Sequence, residues 1–338
     1  MTSSPISLSV LDLAMVPDGA SSTEAFAQTT AVAQAADRLG YRRIWVAEHH
    51  NMATVASTMP AVLIAHLAAN TESIKVGSGG VMLPNHAPLA IAEQFAMLEA
   101  LYPGRVDMGV GRAPGTDGPT ALALRGARHD PTAEDFPRNL IDVMGLLGDV
   151  RDDDGLWSRF KATPVATSSP SVIPLGSSGF SAQLAGLLGL PFGFAHHFDM
   201  GGTVEAVGIY RDSFRPSPVL DKPYTIVTAS TIAAETTEQA QWLAGPARLR
   251  RLGLRTGRVF PMLPPEEASE HPDFERASTM AVNSLVGTSV EVVAGMADLA
   301  ERTEADELML YTSTYALQDR LTSLELIAAD WIGASSPA

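Results

Sequence analysis

The sequence predicts a closed parallel (β/α)₈ barrel, and three observations point to this fold class. Short β-branched or apolar runs alternate with longer amphipathic runs rich in Ala and Leu along the 338 residues. This βα unit occurs eight times, which is typical of a parallel barrel. Polar and titratable residues follow the strand runs, where a barrel gathers its loops. A doubly wound open sheet is the alternative, because periodicity alone does not show closure.

Each element is placed by its apolar pattern and by start and stop residues. The predicted strands are Ile6–Leu11, Arg43–Ala47, Ile74–Gly79, Arg105–Val110, Val172–Leu175, Phe192–Ala195, Tyr224–Ala229 and Glu307–Tyr311. The predicted helices are Glu24–Leu39, Pro60–Ala69, Pro88–Leu101, Ala133–Leu147, Ser181–Leu188, Thr203–Phe214, Thr236–Leu252, Glu291–Arg302 and Gln318–Trp331. Ser21 with Glu24, and Thr236 with Gln239, have capping-box spacing. We expect one domain over residues 1–338, with insertions near 112–130, 151–171 and 253–273.

Composition excludes several classes of partner and chemistry. The chain has 23 Lys and Arg against 38 Asp and Glu, a net charge of −15, which disfavours nucleic acid and anionic membrane surfaces as partners. It contains no cysteine, which excludes disulfides, thiolate nucleophiles and Fe–S clusters. Residues 1–10 lack the basic and long apolar regions of a signal peptide, so we expect a cytoplasmic location.

Two adjacent histidines follow the second predicted strand, in the run Glu48-His49-His50. Neighbouring strand residues point to opposite faces, so we expect one histidine at the barrel mouth as a general base. The alternative is a histidine that only binds loop backbone. A metal site that combines these residues with His196 and His197 is a rival interpretation, but the spacing matches no compact metal motif, and no metal is expected.

A glycine- and serine-rich turn between a strand and a helix predicts a phosphate site. The turn Gly176-Ser177-Ser178-Gly-Phe-Ser181 offers hydroxyls and free backbone N–H groups at a helix N-terminus. Arg112, just past the fourth strand, is a candidate for the matching positive charge. The glycines of Gly77–Gly80 leave room for a flat ligand. The alternatives are an ordinary βα turn, a surface salt bridge and a flexible turn.

Three runs resemble the bacterial luciferase-like monooxygenases: IWVAEHH (Ile44–His50), VGSGGVMLPNHAPLAIAEQFAMLEALYPGRVDMGVGRAPGTD (Val76–Asp117) and LGSSGFSAQLAGLLGLPFGFAHHF (Leu175–Phe198). The similarity covers nearly the whole chain. It implies a TIM barrel that binds FMN, or in some branches the deazaflavin F420, at its mouth. It also implies reaction of reduced flavin with O₂ through a C4a-hydroperoxide, a separate flavin reductase that supplies the reduced FMN, and a dimer.

The resemblance assigns roles to individual residues. His49 matches the family's catalytic base and His50 its neighbour. The other matched positions bind the flavin: Ser78, Gly79 and Gly80 against the isoalloxazine, with a cis peptide at Gly79–Gly80; Arg112, Ser177, Ser178 and Ser181 at the phosphate; and His196 where luciferase has a tryptophan. Luciferase has a reactive cysteine at the position of Gly111 and a carboxylate at Ser177, so we do not expect light emission.

The sequence therefore predicts a two-component, FMN-dependent monooxygenase that oxygenates a small organic substrate and pairs as a homodimer. The type of oxygenation is left open. The alternatives are an F420-dependent reductase or dehydrogenase, a flavin-binding protein without turnover, and a metal-dependent hydrolase. We expect the second and third helices to form the dimer interface through Leu63, Leu67, Phe95 and Leu98.

Overall fold

The computed structural model describes residues 6–125, 135–198, 201–280 and 282–333, and its strands form one parallel sheet. The strands are β1 (Ser7–Asp12), β2 (Arg43–Val46), β3 (Lys75–Met82), β4 (Val106–Gly111), β5 (Ser171–Gly176), β6 (Phe192–Phe194), β7 (Thr225–Ala234), β8 (Ser284–Thr288) and β9 (Glu307–Tyr311). Strands β1 to β7 pair in order, β7 pairs with β9, and β9 returns to β1. This closure confirms the predicted (β/α)₈ barrel and excludes the open sheet.

Helices follow the strands and cover the outside of the barrel. They are α1 (Ser22–Arg38), α2 (Pro60–Ala69), α3 (Pro88–Leu101), α4 (Gly118–Arg125), α5 (Phe136–Leu146), α6 (Gly179–Leu188), α7 (Thr203–Ser213), α8 (Thr237–Leu243), α9 (Gly245–Arg255), α10 (Pro265–Glu270), α11 (Phe274–Ser278), α12 (Ser289–Thr303) and α13 (Leu317–Trp331). The Ser21 hydroxyl accepts from the Glu24 amide, and the Glu24 carboxylate accepts from the Ser21 amide, so the predicted capping box is present. No helix in the described ranges is long and apolar enough to span a bilayer.

The structure differs from the sequence prediction mainly after β7. The predicted helix Thr236–Leu252 is two helices, because Pro246 in the first turn of α9 starts a new helix. The predicted loop over 253–273 contains α10, and the irregular stretch 112–130 contains α4; residues 126–134, which include the predicted start of the helix at Ala133, lie outside the described ranges. Strand β8 was not predicted; it pairs with the far end of β7 and extends the sheet beyond the barrel.

The predicted interface residues on α2 and α3 are buried within the chain. Leu63, Leu67, Phe95 and Leu98 all have a relative exposure of 7% or less and belong to the main hydrophobic core. Helices next to a barrel bury one face against the strands, so their apolar residues need no partner chain. The assignment of these four side chains to a dimer interface is therefore wrong.

The inside of the barrel has its own core, built from alternate residues of the strands. It contains Leu11, Trp45, Ile173, Ile226 and Met309, while their strand neighbours pack outward against the helices. This core separates the two ends of the barrel, so that the carboxyl-terminal mouth is a site distinct from the base.

A buried ionic cluster lies at the amino-terminal base of the barrel. Arg43 Nη1 lies 2.6 Å from Asp107 Oδ2, and its Nε lies 2.8 Å from Glu307 Oε1. Trp45 donates to Asp107 and Tyr224 donates to Glu307, at 3.1 and 2.7 Å. Coulombic attraction to both carboxylates outweighs burial and raises the pKa of Arg43. The cluster ties β2, β4 and β9 together across the barrel.

Candidate active site

A cavity of about 490 Å³ opens at the carboxyl-terminal mouth of the barrel. The loops after β1, β2, β6 and β9 contribute to its wall, as do β7, β8 and α9. Its apolar lining includes Leu13, Met52, Val55, Ile232 and Tyr311, and its polar lining includes His49, His197, Ser230, Ser313 and four arginines of α9. A barrel-mouth cavity that combines apolar walls with convergent polar and charged groups has the character of an enzyme active site.

His49 is the predicted catalytic residue that the fold places in this cavity. Its backbone N–H donates to the Ser57 carbonyl, and its Nδ1 is buried without a hydrogen-bond partner among the described residues. Burial lowers the pKa of His49 below its usual value; the charge of Glu48 opposes this shift, and the charges of His50 and Arg250 add to it. The imidazole is therefore neutral at pH 7 and able to accept a proton.

Glu48 organises the loops that hold His49. Its carboxylate lies 2.9 Å from Nε2 of His50 and 2.9 Å from Nε2 of His86, and it accepts the Met82 amide at 3.0 Å. Burial alone would raise the pKa of Glu48. The hydrogen bond and charge of His86, together with the hydrogen bonds from His50 and the Met82 amide, lower it instead. His50 thus packs on a buried carboxylate next to the cavity. Neither His86 nor the contacts of Glu48 with two histidines and the Met82 amide were predicted from the sequence.

The two histidines after β6 face different cavities. His197 is buried in the wall of the main cavity, 4.1 Å from the Phe198 ring, and burial lowers its pKa to about 3 despite a hydrogen bond with the Thr228 backbone. His196, the residue predicted to lie beside the flavin, lies 2.7 Å from Thr203 Oγ1 and lines a separate cavity of about 350 Å³. His197 therefore lines the main cavity, and His196, which the resemblance places beside the flavin, lines the smaller one.

Glycines in β3 bring the backbone close to the inside of the barrel. The peptide bond between Gly79 and Gly80 is cis, as the resemblance implies. A Cβ at Gly80 would lie 2.6 Å from Leu175 Cδ1 and 2.8 Å from the Gly109 carbonyl oxygen, so only glycine fits there. Ser78 is fully buried and its hydroxyl donates to the Gly109 carbonyl at 2.8 Å. This segment can therefore meet a ligand only through its backbone.

The predicted phosphate-binding residues lie together at the start of α6. Ser178 is the N-cap of this helix, yet its side chain makes no capping hydrogen bond, and Ser177 and Ser178 are exposed. The Arg112 guanidinium lies 4.4 Å from the centre of the Phe180 ring, on the same turn. Gly176 leaves space for the buried Ser181, whose Cβ would lie 2.8 Å from a Cβ at Gly176. The free hydroxyls, the uncapped helix start and the guanidinium form a cradle suited to an anion.

The histidines do not assemble a metal centre in the part of the chain that the structure describes. No group of three or more His, Asp or Glu side chains there has the geometry to hold a metal ion. Their partners are instead Glu48, Thr203 and backbone groups.

The family model of the luciferase-like monooxygenases matches residues 6–307. The chain belongs to this family. It is 46% identical over 328 residues to YvbT of Bacillus subtilis (strain 168), covering 96% of each chain. It is 42% identical over 334 residues to a luciferase-like monooxygenase of Escherichia coli (strain K12), covering 96% of this chain and 97% of the relative. The crystal structure of apo-MsnO8 superposes with a TM-score of 0.90 at 34% identity, covering 98% of this chain and all of that one.

One further relative and two further solved structures are also similar to this chain. The N-acetyl-S-alkylcysteine monooxygenase of Bacillus subtilis (strain 168) is 30% identical over 316 residues, covering 93% of this chain and 91% of that one. The oxygenating constituent of 3,6-diketocamphane monooxygenase from Pseudomonas putida, solved with FMN, has a TM-score of 0.72 at 18% identity. An F420-dependent secondary alcohol dehydrogenase has a TM-score of 0.69 at 15% identity. Each of these two superpositions covers 98% of this chain and 100% of the other chain. Both structures share the luciferase-like fold with this chain.

Proposed function

We propose that this luciferase-like protein is a flavin-dependent monooxygenase that uses reduced FMN and O₂ to oxygenate a small organic substrate. The observation that carries the proposal is the position of His49. This neutral histidine, with an unpartnered buried Nδ1, lines the apolar cavity at the mouth of the barrel. The FMN complex of the diketocamphane monooxygenase component, on the same fold, supports flavin as the cofactor.

The residues present fit FMN. Arg112, Ser177 and Ser178, with Gly176 and Ser181 shaping their turn, would hold the phosphate, because they combine an uncapped helix start, hydroxyls and a positive charge. The backbone of Ser78–Gly80 would lie against the ring system, since Gly79 and Gly80 carry no side chain and the Ser78 hydroxyl is turned to the Gly109 carbonyl. Reduced FMN supplies the two electrons with which one atom of O₂ enters the substrate and the other leaves as water.

The protein's own side chains provide an apolar wall, a fixed position for His49 and a proton acceptor. Leu13, Met52, Val55 and Ile232 give the cavity an apolar wall, and low-polarity surroundings strengthen the electrostatic interactions of the groups that face it. His49 can take up a proton at Nδ1, since no described protein group competes for that atom. Glu48, through His50 and His86, fixes the loops on which His49 lies. We propose His49 as the acid–base residue and His50 as a positioning residue.

A separate flavin reductase would supply the reduced FMN. The diketocamphane relative in fold is described as an oxygenating constituent, which is the role that we propose for this chain. The F420-dependent alcohol dehydrogenase favours one alternative, hydride transfer from reduced F420 without O₂. The two reactions differ in their use of oxygen, so one experiment separates them.

The test supplies the protein with FMN, NADH, a flavin reductase and isotopically labelled O₂, together with a panel of organic substrates. We expect one labelled oxygen atom in a product that forms only when this protein is present. Product formation in a parallel assay, with reduced F420 as the reductant and without O₂, would instead establish the alternative. Bound FMN without any product across the panel would favour a flavin-binding protein without turnover.

We predict that Arg112→Ala weakens FMN binding about tenfold or more, because a charge-assisted hydrogen bond is worth about 1.5–3 kcal/mol. Fluorescence titration of the purified variant measures the change. Riboflavin lacks the phosphate and serves as the matched ligand, so its affinity should not change. An unchanged FMN affinity, or an equal loss for both ligands, would remove Arg112 from the phosphate site.

We further propose a homodimer, with an interface that includes the exposed apolar side chains of α2 and α3. These are Val62, Met97 and Leu101, which are 72%, 54% and 60% exposed. Light scattering at micromolar concentration should give twice the 35.7 kDa chain mass. A Val62→Glu and Leu101→Glu double variant should be a monomer, whereas Val165→Glu, at an 81% exposed site elsewhere, should remain a dimer. A monomer mass for the wild-type protein would contradict the proposal.

A further inference from the structure

The wall of the main cavity carries a concentration of positive charge that the proposed flavin site does not use. Four arginines of α9 line it: Arg248, Arg250, Arg251 and Arg255. Among the described residues of the lining there is no Asp or Glu, although the chain has 38 acidic residues and a net charge of −15. The net charge of the cavity lining is thus opposite in sign to the net charge of the whole protein.

Helix geometry places these charges in one patch. Arg248, Arg251 and Arg255 are separated by three and four residues and so lie on one side of α9. Arg250 is buried, and its Nη1 lies 3.3 Å from Met15 Sδ. Its charge reaches His49, whose pKa it helps to lower, and the charge of Arg251 acts in the same way on His197. The patch therefore borders both histidines of the cavity.

No described carboxylate forms an ion pair with Arg248, Arg250 or Arg251. Arg248 donates to the amide oxygen of Gln241, which carries no charge. Burial lowers the pKa of Arg248, and burial together with the charge of Arg255 lowers the pKa of Arg251. Partly buried cations that lack a counter-charge are costly to a folded protein, and a bound anion removes that cost.

The flavin phosphate is not that anion in the arrangement proposed above. Arg112 contacts Phe180 of α6, and neither Arg112, Ser177 nor Ser178 belongs to the lining of the main cavity. The α9 patch is therefore a second positive site, separated from the first and adjacent to His49. Beside it lies the apolar surface of Leu13, Met52, Val55 and Leu254.

We infer that the substrate is an amphipathic organic anion whose carboxylate, or another oxyanion, binds the α9 arginines while its apolar body lies in the cavity next to His49. This inference rests on the proposed function for its reaction, but not for its binding step. Arg251 and Arg255 form the outer part of the anion site, since they are the more exposed of the four, and Arg250 forms its buried inner part.

The test compares octanoate with octanamide, which share an apolar chain and differ in charge, by calorimetric titration of the flavin-free protein. We expect octanoate to bind more tightly, with an affinity that falls as salt rises, and octanamide to show no salt dependence. Arg251→Gln with Arg255→Gln should weaken octanoate about tenfold or more and leave octanamide unchanged. Arg276→Gln, at an exposed position on the neighbouring α11, is the matched control and should change neither affinity.

Two results would overturn the inference. The first is equal binding of octanoate and octanamide to the wild-type protein, or binding of neither. The second is a loss of FMN affinity in the Arg251 and Arg255 variant as large as that of Arg112→Ala, with riboflavin unaffected, because these arginines would then hold the flavin phosphate. Unfolding temperatures of all variants verify that each is folded. Because the titration uses no flavin or O₂, its outcome is independent of whether the protein is a monooxygenase.

Discussion

Replacing His49 with alanine should lower turnover by about 10²–10⁴ while FMN affinity stays within a factor of about two, because general acid–base catalysis contributes rate rather than flavin binding. The reason is position: His49 lines the cavity, whereas the phosphate cradle that we propose lies at α6. Single-turnover product formation and FMN titration measure the two quantities separately. His66→Ala, on the surface of α2, is the matched control and should retain full activity.

The same assignment fixes the direction of the pH dependence. Burial lowers the pKa of His49 below its usual value of about 6.5, so the neutral form persists at pH 7 and is lost only as the pH falls below the lowered pKa. Turnover should therefore fall on acidification, with a midpoint below pH 6.5, and His49→Ala should lack this limb. Wild-type product yield from His49→Ala would rule out the acid–base role. Loss of FMN binding in His49→Ala, with normal product formation from the FMN that still binds, would make His49 a flavin-binding residue.

The second large effect is expected on stability, at the base of the barrel. Arg43→Leu leaves Asp107 and Glu307 buried without the cation that lies 2.6 and 2.8 Å from them, and such a loss typically costs about 3–5 kcal/mol. Urea unfolding at pH 7 measures the free energy of unfolding. Arg42→Leu is the matched control: the Arg42 side chain is 47% exposed and 3.5 Å from Glu307, so its loss should cost about 0–1 kcal/mol.

Arg43→Lys tests whether charge is what matters in this cluster. Lysine keeps the positive charge but lacks the planar guanidinium that reaches both carboxylates. The loss of free energy of unfolding in Arg43→Lys should therefore lie between those of Arg43→Leu and Arg42→Leu. Equal unfolding midpoints for Arg43→Leu and Arg42→Leu would show that the cluster contributes no net stability.

The fold was predictable because each βα unit carries its own local signals. Helix α2, helix α3 and strand β9 match their predicted bounds at both ends, and the Ser21–Glu24 capping box is present. The elements that escaped prediction depend on tertiary contacts. Strand β8 exists by pairing with an extension of β7, and the sequence near Ser284 contains only five residues of strand. Short α10 begins at Pro265, directly after its N-cap Pro264, in a segment whose composition is typical of a loop.

The position of a site residue was predictable where the order of the strands fixes it. It was not predictable where two neighbouring residues point in different directions. His49 ends a strand run and reaches the mouth as expected. After β6, a one-residue difference exchanges cavities, so the sequence could not distinguish His196 from His197. The role of Glu48 depends on His86, which lies 38 residues away along the chain. The α9 arginines have the pattern of a solvated helix face, and only the tertiary structure shows that they line a cavity.

An anaerobic titration with reduced FMN and reduced F420 tests the central claim, that this barrel mouth holds a flavin for oxygenation. We expect tight binding of reduced FMN, weaker binding of reduced riboflavin, and loss of this difference in Arg112→Ala. We expect no comparable binding of reduced F420. Preferential binding of reduced F420, or equal affinity for reduced FMN and reduced riboflavin in the wild-type protein, would contradict this claim.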